Sequence, residues 1–339
     1  MGESYFKRGK YREAAETFSQ ITTQFPSYEL LDYTYYSLGW SYLNVGQYEQ
    51  ALQSFRHVLA AFPESELAVS SHMNVGRSLF QLGEYEQARQ EYLNVVQTSS
   101  AEESREAIFW IAESAYHLGN YENALAYYQQ FLQQPFPREY EENTHYGIAW
   151  SLSNLGRTPE AIQHFTQFIA DYPRSNLYPS SLFQLGSLLL QENRIDEGTK
   201  IFEQYLSQYP ESDYSNEIRF QLGQVYFQGE EYDHAFDLFQ QIITDHTDEL
   251  YMASAMFMSG ACLYAQKNYE DAIAQYQQAI GRAQADSVQD QSQETQKQAS
   301  QIIHDATFRI GISYINLEYY ETAIAYLSQL IIDDGTLVP

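Results

Sequence analysis

The chain has 339 residues, 44% of them hydrophobic and 16% aromatic, with 9 Pro and 17 Gly, a composition that provides a core and excludes a low-complexity or collagen-like chain. Its 18 Lys and Arg against 45 Asp and Glu give a net charge of −27, which repels phosphate backbones and argues against nucleic acid as a partner. The single cysteine excludes an internal disulfide, and no apolar run approaches the roughly 18 to 20 residues that direct membrane insertion requires.

One pattern recurs along the whole chain, mostly at a spacing of 37 residues. In chain order, the first position of the pattern is occupied by Tyr11, Tyr48, Tyr85, Tyr121, Thr158, Ile195, Tyr232, Tyr269 and Tyr320. Three residues later the side chain is very small, at Ala14, Ala51, Ala88, Ala124, Ala161, Gly198, Ala235, Ala272 and Ala323. One helical turn further it is large again, at Phe18, Phe55, Tyr92, Tyr128, Phe165, Phe202, Phe239, Tyr276 and Leu327. This spacing predicts the buried face of one helix in every copy.

A second, preceding helix is indicated by a small residue nine positions before each first position: Gly2, Gly39, Gly76, Ala112, Ala149, Gly186, Gly223, Gly260 and Gly311. The turn between the two helices carries a residue where a left-handed conformation is expected, at Gly9, Gly46, Gly83, Gly119, Gly156, Asn193, Glu230, Lys267 and Glu318. Several second helices are followed by a Phe/Tyr-Pro elbow with a Ser, at residues 25–27, 62–65, 172–175 and 209–212. Pro cannot continue a helix, and we expect the Ser to cap the next one.

This combination of Leu-Gly, Gly-x-Tyr, Ala, an aromatic residue and Pro resembles the tetratricopeptide repeat over essentially the whole chain. The resemblance implies an all-α fold, a right-handed α-solenoid superhelix of antiparallel helix pairs. The spacing of 37 exceeds the usual 34 and suggests first helices that are longer by about one turn. The elbows are similar to those of bacterial outer-membrane assembly lipoproteins and Tol–Pal accessory proteins, which slightly favours the periplasm or envelope over the cytoplasm. A tight joint between long helices explains the elbows equally well, so the compartment stays open.

The register divides the single array of residues 1–339 into four parts. Residues 1–26 are a truncated first repeat, because Gly2 corresponds to the middle of a first helix, and residues 27–282 are seven regular repeats. Residues 283–300 are a Gln/Ser-rich insertion, in which we expect an extended helix followed by a mobile loop. Residues 301–339 are the last repeat and a C-terminal tail without a polar capping helix. We therefore expect a fragment of a larger bacterial protein, with self-association through uncapped ends as the alternative.

The sequence contains none of the common motifs for phosphate binding, hydrolysis or metal binding, so we expect no catalytic residue, no metal site and no cofactor. The eight histidines are scattered, and none pairs at i, i+4 with another ligand type. Cys262 lies two residues after Gly260, where other copies have Ser, which indicates a small buried residue and not a nucleophile. The chain is therefore not expected to be an enzyme.

In the repeat family the first helices line a concave face that binds peptides. If this chain follows the family, the gripping positions lie three before, one after and four after the small residue of each first helix. The predicted binding residues are Tyr36, Trp40, Met73, Arg77, Phe109, Glu113, Tyr116, Tyr146, Trp150, Phe183, Phe220, Gln224, Phe257 and Tyr264. Packing between helices is the alternative explanation for most of the aromatic ones. Because Arg77 is the one cation in these sets, binding of an acidic chaperone tail is not expected.

The sequence thus predicts a non-catalytic scaffold that binds a protein or peptide, basic or apolar, in a concave aromatic and acidic groove. The acidity is explained either by solubility or by attraction of a basic partner. The alternative function is a regulatory or substrate-recruiting arm of a larger enzyme whose catalytic domain is absent here.

Overall fold

The computed structural model describes residues 1–99, 101–133, 140–245 and 251–333. These residues form helices and no strand. The helices are α1 (Gly2–Lys7), α2 (Tyr11–Gln24), α3 (Leu31–Asn44), α4 (Tyr48–Ala61), α5 (Ala68–Gln81), α6 (Tyr85–Thr98), α7 (Ala101–His117), α8 (Tyr121–Leu132), α9 (Glu141–Asn154), α10 (Thr158–Asp171), α11 (Tyr178–Gln191), α12 (Ile195–Gln208), α13 (Ser215–Gln228), α14 (Tyr232–Thr244), α15 (Met252–Ala265), α16 (Tyr269–Gln289), α17 (Gln293–Asn316) and α18 (Tyr320–Asp333). The predicted all-α repeat fold is therefore confirmed.

The chain forms two compact units, unit 1 (residues 1–181) and unit 2 (residues 182–339), whose boundary falls within α11. In unit 1, consecutive helices from α1 to α10 pack against each other. In unit 2, consecutive helices from α12 to α18 do the same. First helices also contact each other within a unit, α7 with α9 in unit 1 and α15 with α17 in unit 2. The odd-numbered helices are thus the first helices of the repeats, and the even-numbered ones are the second helices.

The turns within the helix pairs have the predicted left-handed conformation. All five predicted glycine positions in unit 1 have positive φ, between 68° at Gly156 and 79° at Gly83. The four predicted positions in unit 2 also have positive φ although none is glycine: Asn193 at 58°, Glu230 at 62°, Lys267 at 64° and Glu318 at 66°. The prediction that later copies keep the turn without glycine is confirmed.

The core is built from the predicted small and large positions. The second-helix Ala residues such as Ala51 and Ala88 are fully buried, and so are large residues such as Phe55 and Phe239. A Cβ added to Gly39 would lie 2.8 Å from the ring of Phe55. Since real Cβ atoms do not approach a ring this closely, the first helix needs glycine where the aromatic ring crosses it.

Small polar residues occupy the predicted buried position on the first helices. Ser41, for example, is fully buried and its hydroxyl donates a hydrogen bond of 2.7 Å to the carbonyl of Ser37. Cys262 takes the same place in α15 and is also fully buried. Burial raises the pKa of its thiol to about 12, so the thiol stays protonated at neutral pH. The prediction of a small buried residue at Cys262 is confirmed.

The elbows differ from the prediction in two respects. First helices such as α3 and second helices such as α4 both have 14 residues, so the long spacing does not produce a longer first helix. The additional residues instead form six-residue elbows, such as residues 62–67. The elbow Ser also does not cap the next helix: the hydroxyl of Ser65 accepts from the backbone N of Leu67 at 3.2 Å, before α5 begins. It holds a turn ahead of the helix because the elbow is longer than the sequence suggested.

The insertion is helical over most of its length. α16 continues for 21 residues to Gln289, and α17 begins at Gln293 and has 24 residues. Only residues 290–292 lie between the two helices, in place of the expected mobile loop. Ala253, Ala283 and Ala299 are buried together and pack against Ile302 and Ile303. These small apolar residues at the end of α16 and the start of α17 pack the segment, although its overall composition is polar. The last six residues of the predicted final repeat and tail, residues 334–339, lie outside the described residues.

Candidate functional site

The predicted binding positions lie along the first helices, and we call the surface that they form the first-helix face. Met73, Phe109 and Phe183 are buried, with at most 8% of their surface exposed. Gln224 is exposed, and the other ten predicted residues are half-buried. The three buried residues are part of the hydrophobic core, and a role for them in binding stays a prediction.

The half-buried aromatic residues of this face pack on the second helix of their own repeat. The ring of Tyr36 lies 5.6 Å from that of Phe55, and the ring of Phe220 lies 5.6 Å from that of Phe239, both edge to face. Tyr146 and Phe257 have similar contacts with Phe165 and Tyr276. These contacts therefore hold the rings of the first-helix face in place and leave only part of each ring accessible to a ligand.

A charged cluster crosses this face in unit 1, and its centre is Arg77 on α5. The guanidinium lies 5.5 Å from the ring centre of Trp40 on α3. It donates a hydrogen bond of 3.1 Å to the side-chain oxygen of Asn74 and pairs with the carboxylate of Glu106 on α7. Burial lowers the pKa of Arg77, but the attraction of Glu106 outweighs it and leaves the pKa above its ordinary value. Arg77 is thus charged and already paired, which disfavours capture of an acidic tail.

Glu106 connects this cluster to the next repeats. The same oxygen accepts from the hydroxyl of Tyr140 at 2.7 Å and from the indole N–H of Trp110 at 3.3 Å. A small cavity of about 130 Å³ opens beside Trp40 and Arg77, with Glu103 and Glu106 on its other side. At this cavity the first-helix face combines aromatic surface with carboxylates, as a site for a basic or apolar side chain requires.

A second cluster lies further along α7, around Glu113. The hydroxyl of Tyr128 donates a hydrogen bond of 2.6 Å to Oε1 of Glu113. Burial raises the pKa of Glu113 to about 7, and the bond from Tyr128 only partly counteracts this effect. Tyr116, one turn on, has a pKa raised to about 12 by burial and by its neighbours Tyr146, Tyr121 and Glu113. Near neutral pH the carboxyl group is therefore balanced between its neutral and charged forms.

The local packing explains how Glu113 obtains this partner. In α7 the usual glycine is replaced by Ala112, which is fully buried. The ring of Tyr128 lies instead against Gly147 of α9, where an added Cβ would be 2.7 Å from the Tyr128 hydroxyl. In this position the Tyr128 hydroxyl reaches the Glu113 carboxylate. The polar cluster therefore occurs in the repeat where the methyl group of Ala112 replaces glycine.

Trp150 on α9 occupies the same register as Trp40, Arg77 and Glu113. Its ring lies 6.1 Å from Tyr146 and 6.3 Å from Phe165. Its indole N–H is buried and has no hydrogen-bond partner among the described residues. A buried donor without an acceptor is uncommon in folded proteins.

In unit 2 the first-helix face lacks such acid-centred clusters at the predicted positions. Phe183 stacks on Tyr214 at 4.5 Å, and Phe220 packs on Tyr251 at 5.5 Å. Tyr264 accepts a hydrogen bond of 3.1 Å from Asn316 and lies 5.9 Å from the guanidinium of Arg309. The structure therefore places Trp40, Arg77 and Glu113 of unit 1 in charged clusters, whereas the predicted aromatic residues of unit 2 mainly pack on other rings.

The sequence reasoning missed Asn74, Glu106 and Tyr140. Asn74 lies three residues before Arg77, and Glu106 lies seven residues before Glu113 on the same helix, so helical spacing places each on a face with a predicted residue. No periodic signal could identify Tyr140, because it precedes α9 and follows a segment outside the described residues.

Comparison with known families agrees with this architecture. Sequence models described as tetratricopeptide repeat match residues 1–28, 36–103 and 76–139, and one described as tetratricopeptide repeat-like domain matches residues 149–302. The chain belongs to the tetratricopeptide repeat family. The array is similar to the C-terminal part of a tetratricopeptide repeat-containing protein from Cytophaga hutchinsonii, with 15% identity over 73% of this chain and 95% of that one, at a TM-score of 0.60.

A tetratricopeptide repeat protein from Parabacteroides merdae is also similar, with 16% identity over 76% of this chain and 95% of that one, at a TM-score of 0.50. At such identities the likeness concerns the fold alone. A search of curated proteins gave no match. Within the part of the tetratricopeptide array that the structure describes, each helix is too short or too polar to cross a bilayer, and no three potential ligands gather around a metal position.

Proposed function

We propose that this tetratricopeptide repeat protein is a non-catalytic scaffold that binds a segment of a partner protein along the first-helix face of unit 1. The observation that carries the proposal is the row of Trp40, Arg77, Glu113 and Trp150 at one register position in four successive repeats. Two of these residues are tryptophans, the kind of large rigid side chain that dominates binding energies.

The chemistry of this row favours a basic or apolar segment. The Arg77 charge is balanced by Glu106, so the row offers no free cation to an acidic ligand. The chain as a whole carries a net charge of −27, which attracts basic partners and accelerates their encounter. The predicted residues Phe220, Gln224, Phe257 and Tyr264 of unit 2 are not part of this proposal. The location in a bacterial envelope rests on the resemblance of the elbows and stays a prediction.

The proposal is tested by capturing partners from the source organism and measuring the affinity of the purified partner. Trp40→Ala and Trp150→Ala should each weaken binding by ten-fold or more, since an interface tryptophan typically contributes about 2 kcal/mol or more. Tyr28→Ala is the matched control, because Tyr28 is an exposed aromatic residue of the first elbow and lies away from the row. Equal affinity of all three variants and the unmodified protein would exclude the first-helix face of unit 1 as the binding surface.

A further inference from the structure

Glu113 is a largely buried carboxyl group with an incomplete set of partners. Oε1 accepts from the Tyr128 hydroxyl at 2.6 Å, and no Lys, Arg or His among the described residues forms an ion pair with the carboxylate. Arg77, the cation at the same position one repeat earlier, pairs with Glu106 instead. A buried carboxylate is usually paired with a cation, so the charge of Glu113 is unbalanced within the described part of the molecule.

Aromatic side chains on two helices lie in the neighbourhood of this carboxyl group. Tyr116 lies one turn further along α7, and its pKa is raised by burial, by Tyr146 and by Glu113, which places the three groups in one electrostatic neighbourhood. Tyr146 packs edge to face against Trp150 at 6.1 Å on α9. All three aromatic residues are half-buried, so part of each ring faces solvent. Ring faces beside a carboxylate are the arrangement that binds ammonium and guanidinium groups.

Trp150 also carries a polar group within this arrangement. Its indole N–H is buried and lacks an acceptor among the described residues. Gly147, one turn earlier on α9, lies against the Tyr128 hydroxyl that holds Glu113, so the same stretch of α9 flanks the carboxylate. A peptide bound here could present a cationic side chain to the carboxylate and to the exposed part of Trp150.

We infer that Glu113, Tyr116, Tyr146 and Trp150 form a subsite that binds one lysine or arginine side chain of the partner segment. The inference rests on the proposed function and specifies the chemistry of the ligand. A single carboxylate among aromatic rings suits an organic cation better than a metal ion, which requires several oxygen or nitrogen ligands. At the Arg77 cluster a bound cation would have to compete with Arg77 for the carboxylate of Glu106.

The test uses the full chain and short peptides as probes. Nuclear magnetic resonance of ¹⁵N-labelled protein reports the indole N–H groups of the three tryptophans, and Trp150→Phe assigns the signal of Trp150. The probes are acetyl-Gly-Lys-Gly-amide and acetyl-Gly-Arg-Gly-amide, and acetyl-Gly-norleucine-Gly-amide is the uncharged match. The lysine or the arginine peptide should shift the Trp150 signal saturably at pH 8, and norleucine should bind at least ten-fold more weakly. Whichever of the two cationic peptides binds more tightly identifies the preferred side chain.

Glu113→Gln should weaken binding of the cationic peptide at least ten-fold while the Trp40 and Trp110 signals stay unchanged, which verifies the fold. Glu122→Gln is the matched control, because it removes the same charge from an exposed position on α8. The inference is overturned if neither cationic peptide shifts the Trp150 signal, if norleucine shifts it equally, or if Glu113→Gln binds as well as the unmodified protein. Such a result, with partner capture still dependent on Trp40, would leave the proposed function intact; loss of both dependences would remove both.

Discussion

The two units make the same turn between paired helices with different residues. Unit 1 uses glycine at all five turns, whereas unit 2 uses Asn193, Glu230, Lys267 and Glu318, and every one of these residues has a left-handed backbone. For a residue with a Cβ, the left-handed conformation costs about 1 kcal/mol or more. Helix packing must therefore hold the turns of unit 2 in this conformation. The comparison shows that the buried faces of the helices determine the turn, and that glycine only makes it easier.

The first-helix faces of the two units also differ, in the residues that follow the small residue of each first helix. In unit 1 the position after the small residue carries Trp40, Arg77, Glu113 and Trp150; Arg77 pairs with Glu106, and Glu113 accepts a hydrogen bond from the Tyr128 hydroxyl. In unit 2 the same position carries Ser187, Gln224, Ala261 and Ile312, none of them charged. Because the core positions are alike in both units, the surface of unit 1 is free to vary for binding without loss of the fold.

The largest expected effect tests whether the cores are equivalent. Phe55 in unit 1 and Phe239 in unit 2 occupy the same register and are both fully buried. Phe55→Ala and Phe239→Ala should each lower the free energy of unfolding by about 3–5 kcal/mol, through lost burial and the cavity left behind. Urea unfolding of the two variants measures this loss. Hydrogen exchange should show the weakened protection concentrated within the unit that carries the substitution; a loss confined to one variant would show that the two cores are not equivalent.

A pH-dependent effect is expected in unit 1 because of Glu113. Its pKa is about 7 in the folded chain, against an ordinary value of 4.5, so the folded state holds a proton that the unfolded state releases between these values. Stability should therefore fall as the pH rises from about 4.5 to 7, and the full cost persists above 7. Glu113→Gln should stabilise the protein by about 1–3 kcal/mol at pH 8 and by almost nothing at pH 4.5.

Urea unfolding at the two pH values measures this difference. Tyr128 and Tyr116 face the same carboxyl group, but phenols with raised pKa values stay neutral throughout this range. Glu122→Gln, on the exposed face of α8, should give no comparable gain in stability at pH 8. A gain for Glu113→Gln that is the same at pH 4.5 and pH 8 would contradict a proton held by Glu113.

The helical insertion is specific to unit 2 and gives a smaller effect. The hydroxyl of Ser292 accepts from the backbone N of Thr295 at 3.3 Å and thereby caps α17. Ser292→Ala should cost about 1 kcal/mol, as the loss of a cap typically does. Thermal unfolding followed by circular dichroism measures the loss. Ser300→Ala, at an exposed position inside the same helix, is the control and should not destabilise; equal losses in both variants would mean that the cap contributes nothing.

Much of the fold could be predicted because each repeat uses the same few residues. The spacing of Ala51 and Phe55 defines the second helix, and the positive φ at Glu230 follows from its register alone. The insertion could not be predicted in the same way. Its packing depends on isolated residues such as Ala283 and Ala299, which give no strong periodic signal in a Gln/Ser-rich segment. Repetition thus supplies the information that a single segment lacks.

The candidate site was less predictable for a related reason. Helical register placed Trp40 and Glu113 on the first-helix face, but it also placed Phe109 there, which is buried. Exposure depends on how neighbouring helices are spaced, and the partner of Glu113 depends on where the Tyr128 ring lies once Ala112 replaces glycine. These are properties of packing between repeats, and register within one repeat does not contain them.

The smallest effect returns to the turns and tests the opening comparison directly. Gly83 has a φ of 79°, and a Cβ added there would meet nothing within 4 Å, so Gly83→Ala changes only the backbone preference. It should cost about 1 kcal/mol. Glu230→Gly relieves the same preference at a φ of 62° in unit 2. This substitution should raise the free energy of unfolding by about 0.5 kcal/mol. The gain is small because glycine also gives the unfolded chain more conformational freedom.

Gly281 supplies the matched control, since it lies within α16 and a Cβ there would also meet nothing within 4 Å. In a helix interior, Gly281→Ala should stabilise by about 0.5–1 kcal/mol, opposite in sign to the identical change at Gly83. Urea unfolding of the three single variants measures these effects. The double variant of Gly83→Ala and Glu230→Gly should equal the sum of its parts, because the two turns are distant in the chain and share no partner. If Glu230→Gly instead destabilises unit 2, its side chain contributes to the turn, and the two units do not differ only in how easily the same backbone forms.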